Sequence, residues 1–161
     1  MGTRSQGGSW LRKWFGGNDP GDAEALPALL NRICQQETAL ACHLAERARA
    51  LRFGPHRLSL EGVAERDRQN AHALAREIGC ETTLAAAASP TRRPGSLTAT
   101  KLIRDLEETE DLSALYRQAS RLTSDATLRG KLEGLASDEV QGSQTIRAIL
   151  ARMDSYVTDL P

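Results

Sequence analysis

Apolar residues recur every three or four positions through most of the chain, the period of one face of an α-helix. A first stripe reads Leu26, Leu30, Ile33, Glu37, Leu40, Leu44 and Leu51, and predicts a helix from near Asp22 to Phe53. Pro27 falls in its opening turns, and Gly54-Pro55 ends it. A second stripe, Leu60, Val63, Asp67, Asn70, Leu74 and Ile78, predicts a helix from near Ser59 to Ile78, with Gly79 following. The third helix is expected from near Thr98, on a stripe of Leu102, Leu106, Thr109, Leu112, Ser113, Tyr116 and Ala119. Ile103, Leu115 and Leu122 fall off that arc. Ser124-Asp125 then stops the third helix and caps the fourth. The fourth stripe is Leu128, Leu132, Leu135, Glu139, Gly142, Ile146, Ile149 and Met153.

These four segments predict an all-α four-helix bundle over residues 22–157, with 158–161 as a short tail. About eighteen residues, Gly79 to Ser96, separate the second helix from the third and contain Pro90, Arg92, Arg93, Pro94 and Gly95. Fully extended they reach on the order of 60 Å, enough for a crossover along the bundle and more than a hairpin needs. The chain also repeats. Leu60-Glu61-Gly62-Val63-Ala64 returns as Leu132-Glu133-Gly134-Leu135-Ala136, an offset of 132 − 60 = 72. The same offset carries Glu37 onto Thr109, Leu44 onto Tyr116, Asp67 onto Glu139 and Asn70 onto Gly142, so the halves read as two copies of one helix pair.

Composition narrows the function classes. The 161 residues carry 21 basic and 21 acidic side chains, a balance that favours neither nucleic acid nor an anionic membrane as partner. No apolar run approaches the ~20 residues of a membrane span, and the first twenty residues lack a secretory apolar core. Cys34, Cys42 and Cys80 have no metal-binding spacing and read as reduced thiols, which makes the expected compartment cytoplasmic. Phosphate loops, nucleophile elbows and zinc spacings are absent from the sequence. Residues 1–21, rich in Gly, Ser and Asn, predict a disordered tail, with one exception. Trp10-Leu11-Arg12-Lys13-Trp14-Phe15 holds both tryptophans and places Trp10, Leu11, Trp14 and Phe15 on one side of a helical turn and a half. Such a segment suits a protein groove or a membrane surface, or folds back on its own bundle.

The candidate chemistry lies in the stripes themselves. Glu37, Asp67, Asn70 and Glu139 occupy positions where the helical period calls for an apolar residue. A buried carboxylate without a partner costs several kcal/mol, so it is expected to meet a cation, a proton or a metal. The repeat places these residues at one level of the core.

At this point the chain resembles the ferritin-like proteins, bacterioferritin and rubrerythrin among them. The stretch Leu26–Ala41 is similar to the family's opening helix with its metal-binding glutamate, here Glu37. Arg66-Asp67-Arg68-Gln69-Asn70-Ala71 and Ser137-Asp138-Glu139-Val140-Gln141-Gly142 stand where the family carries Glu-x-x-His twice. The resemblance covers about residues 24–155. It implies a dinuclear site that keeps Glu37, Asp67 and Glu139 and has lost ligands at Asn70, Thr109 and Gly142. Asp105 or Glu108 could supply a fourth carboxylate; His43 and His72 are placed off the site. The expectation is a non-catalytic binding or scaffold module with no resident cofactor, working as a homodimer, with Trp10, Leu11, Trp14 and Phe15 as its docking element. The alternative is a carboxylate-rich iron- or manganese-binding protein of oxidase or storage type. A third reading makes the same residues a metal-free polar network that fixes the register of the bundle.

Overall fold

The computed structural model describes residues 20–79 and 99–158. Within them are four helices and no strand: α1 (Pro20–Ala50), α2 (Gly54–Ile78), α3 (Ala99–Leu122) and α4 (Ala126–Thr158). The expectations for residues 1–19, including the aromatic segment, and for Cys80 and the 80–98 connection lie outside the described residues. Among the described residues no helix is long and apolar enough to cross a membrane.

Helix boundaries follow local chemistry, and two of them differ from the expectation. α1 ends three residues early, at Ala50, and α2 begins five residues before Ser59, at Gly54. Gly54-Pro55 therefore starts a helix as well as following one. Phe53 is the extended N-cap, at φ −80° and ψ 113°, and Pro55 sits in the first turn, where its missing N–H would have no intrahelical acceptor. At the other end Gly79 adopts φ 70° and its N–H reaches Ala75 O, a left-handed cap that favours glycine. The expected cap of α4 is present: Asp125 Oδ1 accepts from the N–H groups of Thr127 (2.7 Å) and Leu128 (2.9 Å). Arg129 turns back to donate to the carbonyls of Ser120 and Thr123, satisfying the end of α3.

The stripes pack as their period requires. Leu26, Leu30, Ile33, Leu40 and Leu44 from α1 meet Leu60, Val63, Leu74 and Ile78 from α2, Leu102 and Leu112 from α3, and Leu128, Leu132, Ile146 and Ile149 from α4 in one core. Ile103, off the α3 arc, is exposed. Cys34 and Cys42 are free thiols, and Cys34 is buried against Ala71 O.

Cross-helix bonds define the topology. Cys34 lies beside Ala71, Arg47 beside Asp105, Lys131 beside Glu77, and Ser113 beside Ala136. Each pairing runs antiparallel, so α1 is flanked by α2 and α3, and α4 by the same two. Helices α2 and α3 are then parallel across the diagonal. Gly79 and Ala99 consequently sit at opposite ends of the bundle, roughly 36 Å apart for a 24-residue helix. That separation is the one the crossover expectation requires.

Candidate functional site

Three helices deliver three carboxylates to one point of the core. Glu37 of α1, Asp67 of α2 and Glu139 of α4 are each buried, and one oxygen of each lies within 4.8 Å of the others. Their positions follow from the stripes: each replaces an apolar residue on the face that its helix turns inward. α3 contributes Tyr116, wholly buried, whose hydroxyl donates to Glu37 Oε2.

The remaining valences are open. With the acids ionised, Glu37 Oε1, Asp67 Oδ2 and both oxygens of Glu139 are buried without a donor; protonation lets Glu37 and Glu139 bond to one another, with the Asn70 side chain in reach of both. Among the described residues no Lys or Arg forms an ion pair with the three acids. Arg66 acts on Asp67 through space, but its guanidinium is bonded to Gln141. Loss of hydration is therefore the dominant force on the carboxyl groups. It raises Glu37 from its ordinary 4.5 to about 8, against the opposing pull of the Tyr116 hydrogen bond. Burial, with the charge of Glu139 next, raises Asp67 from 3.8 to about 8. Burial and the charge of Glu37 raise Glu139 from 4.5 to about 9. Tyr116 is pushed well above 10 by burial and by the adjacent Glu37. Near neutral pH the cluster thus retains protons unless a cation replaces them.

The positions aligned with missing ligands are occupied differently. Asn70 is buried in the cluster, and its amide lowers both Glu37 and Glu139. Thr109 is buried too, but its hydroxyl bonds back to Asp105 O at 2.8 Å within its own helix. Its methyl turns towards Gly142, where a Cβ would lie 3.6 Å from Thr109 Cγ2 and 3.2 Å from Val63 Cγ1. Hydrocarbon fills the space on that side. The donors gather on one side only, as one cluster of oxygens without a symmetric partner.

Asp105 and Glu108 do not join that cluster. Asp105 does point inward, with 1% of its surface exposed, but its Oδ2 accepts from Arg47 Nε at 3.1 Å. Burial raises its carboxyl and Arg47 opposes the rise. Glu108 is half-buried, 3.7 Å from His43 Nδ1 and bonded to Arg104. His43, Asp105 and Glu108 form a second group on α1 and α3. His72 is exposed, as its position two residues past Asn70 predicts. The signal that could have found the second group is the repeat itself: 105 − 33 = 72 pairs Asp105 with Ile33, a carboxylate against a core isoleucine.

No family model, no curated protein and no solved structure matches the chain.

Proposed function

We propose that this protein is a ferritin-like bundle that has become a non-catalytic metal-binding module, holding one divalent cation between Glu37, Asp67 and Glu139. The observation that carries the reading is the convergence of three buried carboxylates, one oxygen of each within 4.8 Å of the others, with no cationic side chain paired to them among the described residues. A metal-free polar network accounts for these residues less well. Such a network stabilises a bundle when its members satisfy one another; hydrogen bonding among Glu37, Glu139 and Asn70 meets that need only in part, and Asp67 Oδ2 stays buried without a partner.

The donor set selects the metal. Three carboxylates, the Asn70 amide oxygen and the Tyr116 phenol form an all-oxygen donor set without imidazole or thiolate, which suits hard ions, Mn²⁺ and Fe²⁺ among them. A divalent ion would offset most of the charge of three ionised carboxylates. Binding would displace the protons the cluster otherwise retains, so affinity rises with pH. A single ion is favoured because Gly142, Thr109 and Val63 close the side where further ligands would stand. Oxidase chemistry of the dinuclear kind is correspondingly disfavoured. The antiparallel neighbours, the diagonal pair α2 and α3, and the 72-residue repeat support the ferritin-like assignment.

The test is metal analysis of protein purified without chelator, followed by anaerobic calorimetric titration with Mn²⁺ and Fe²⁺. The expected result is one ion per chain, lost in Asp67→Asn and Glu139→Gln. Absence of binding in both titrations overturns the reading. Two ions per chain, with oxygen uptake on adding Fe²⁺, would replace it with the oxidase alternative.

A further inference from the structure

A second feature lies apart from the carboxylates, on the outer side of the α2–α4 pair. Ala73, Leu74, Leu128, Leu132 and Leu135 line a half-open cavity of about 610 Å³. Its rim carries Arg76, Glu77, Lys131 and Asp138, with Lys131 Nζ 2.7 Å from Glu77 Oε2. Gly134 contributes no side chain, and a Cβ there would meet nothing within 4 Å. Asp138 has no cationic partner among the described residues.

The groove sits at the end of the bundle where α1 begins. Cys34 is level with Ala71, so the turns of α1 before Cys34 run beside the last turns of α2. Pro20 is fourteen residues before Cys34, and Glu77 is six beyond Ala71. At 1.5 Å per residue the start of α1 stands roughly 12 Å past the groove. The sequence preceding it is the aromatic one. Phe15 is five residues from Pro20 and Trp10 is ten, spans of about 17 and 34 Å for an extended chain. The reach of Phe15 covers the direct path to the Glu77 end of the groove, roughly 16 Å for a return of about 12 Å beside one helix width of about 10 Å, and a helical turn and a half over 10–15 carries Trp10 about 8 Å further along it.

We propose that the α2–α4 groove is the seat of this chain's own Trp10–Phe15 segment. The groove offers an apolar floor with one gap in its wall at Gly134, and Trp10, Leu11, Trp14 and Phe15 present bulky apolar groups on one side of a turn and a half. Tethering makes the contact intramolecular, so modest intrinsic affinity suffices to hold it closed. Any outside protein or lipid that uses the same aromatic face must first displace it from the groove.

The protein carries its own reporter. Trp10 and Trp14 are its two tryptophans, so the emission of the full chain reads this segment alone. The expected result is emission blue-shifted from that of the denatured chain and shielded from acrylamide. Gly134→Lys fills the gap and repels Arg12 and Lys13, while improving the propensity of an exposed helical position. It should shift emission to the red and raise the quenching constant severalfold with helicity unchanged, and Leu135→Asp should do the same. Water-exposed emission in the parent chain overturns the proposal, as does emission that neither variant moves. A blue shift that disappears on dilution also overturns it, since the occupant is then the segment of a second copy.

Discussion

Tyr116 and Glu37, 79 residues apart in the chain, meet at the centre of the bundle, where the phenol hydroxyl donates to the carboxylate and neither residue exposes surface. The bond ties α3 to a site otherwise built from α1, α2 and α4. Tyr116→Phe removes the hydroxyl and leaves Glu37 Oε2 without its donor. The expected cost is about 1–3 kcal/mol, read from urea unfolding of the metal-free protein. Binding of Mn²⁺ should weaken without being lost, because the three carboxylates remain.

Stability and binding should separate at Glu139. Replacing it with leucine removes a buried acid that has no cationic partner and stands against the charge of Glu37. Exchange of buried charged groups for apolar ones of similar volume is often neutral or stabilising. Glu139→Leu should therefore hold or raise the urea midpoint of the metal-free protein while abolishing metal binding by calorimetry. A large loss of stability would mean that the carboxylate is satisfied in the folded state.

The pH dependence has a definite sign. Glu37, Asp67 and Glu139 are raised on folding, to about 8, about 8 and about 9. Between their ordinary values near 4 and these, the folded chain holds more protons than the unfolded one. Their favourable contribution is complete below pH 4 and is lost as pH rises through 8 to 9, at on the order of 1.4 kcal/mol per pH unit for each proton. The metal-free protein should thus unfold at lower urea at pH 9 than at pH 6. Saturating Mn²⁺ at pH 8 should restore stability, by about 2.7 kcal/mol at a hundredfold excess over Kd. A midpoint that climbs from pH 6 to pH 9 without metal would contradict the protonated cluster.

Gly142 and Gly62 are both helical, and their surroundings set them apart. At Gly62 a Cβ meets nothing within 4 Å, so Gly62→Ala should stabilise by roughly the helix-propensity difference, about 1 kcal/mol. At Gly142 the new methyl would lie 3.2 Å from Val63 Cγ1, tight enough to cancel that gain. Thermal unfolding of the two variants should differ accordingly, Gly62→Ala melting higher and Gly142→Ala close to the parent.

The second polar group is a structural ion pair. Arg47→Met leaves Asp105 buried without its cation, at a cost of roughly 3 kcal/mol. Adding Asp105→Leu should recover most of the loss, since the repeat already places Ile33 at the equivalent core position. A double-variant urea series measures the recovery; no recovery would mean that Arg47 acts through packing alone.

Much of this was legible along the chain. The 3.6-residue period identified four helices and which residues turn inward, because an inward position is a property of a helix face and needs no partner to define it. The same period marked Glu37, Asp67, Asn70 and Glu139 as core residues of the wrong polarity, and the 72-residue offset placed them at one level. Helix ends were less legible: Gly54-Pro55 is a stop signal for the helix before it and an equally good first turn for the helix after it.

What the tertiary structure decided is who meets whom across the bundle. Asp105 and Thr109 share an inward face of α3, yet one turn of rise brings Asp105 to Arg47 and leaves Thr109 bonded to its own helix. Tyr116 reaches Glu37 because α1 and α3 are antiparallel neighbours. Val63 fills the place opposite Gly142 because α2 and α4 are neighbours too. Periodicity specifies the direction a side chain takes from its own axis. Partner, distance and the remaining empty valences depend on how four axes are set against one another, which is a property of the packed core as a whole.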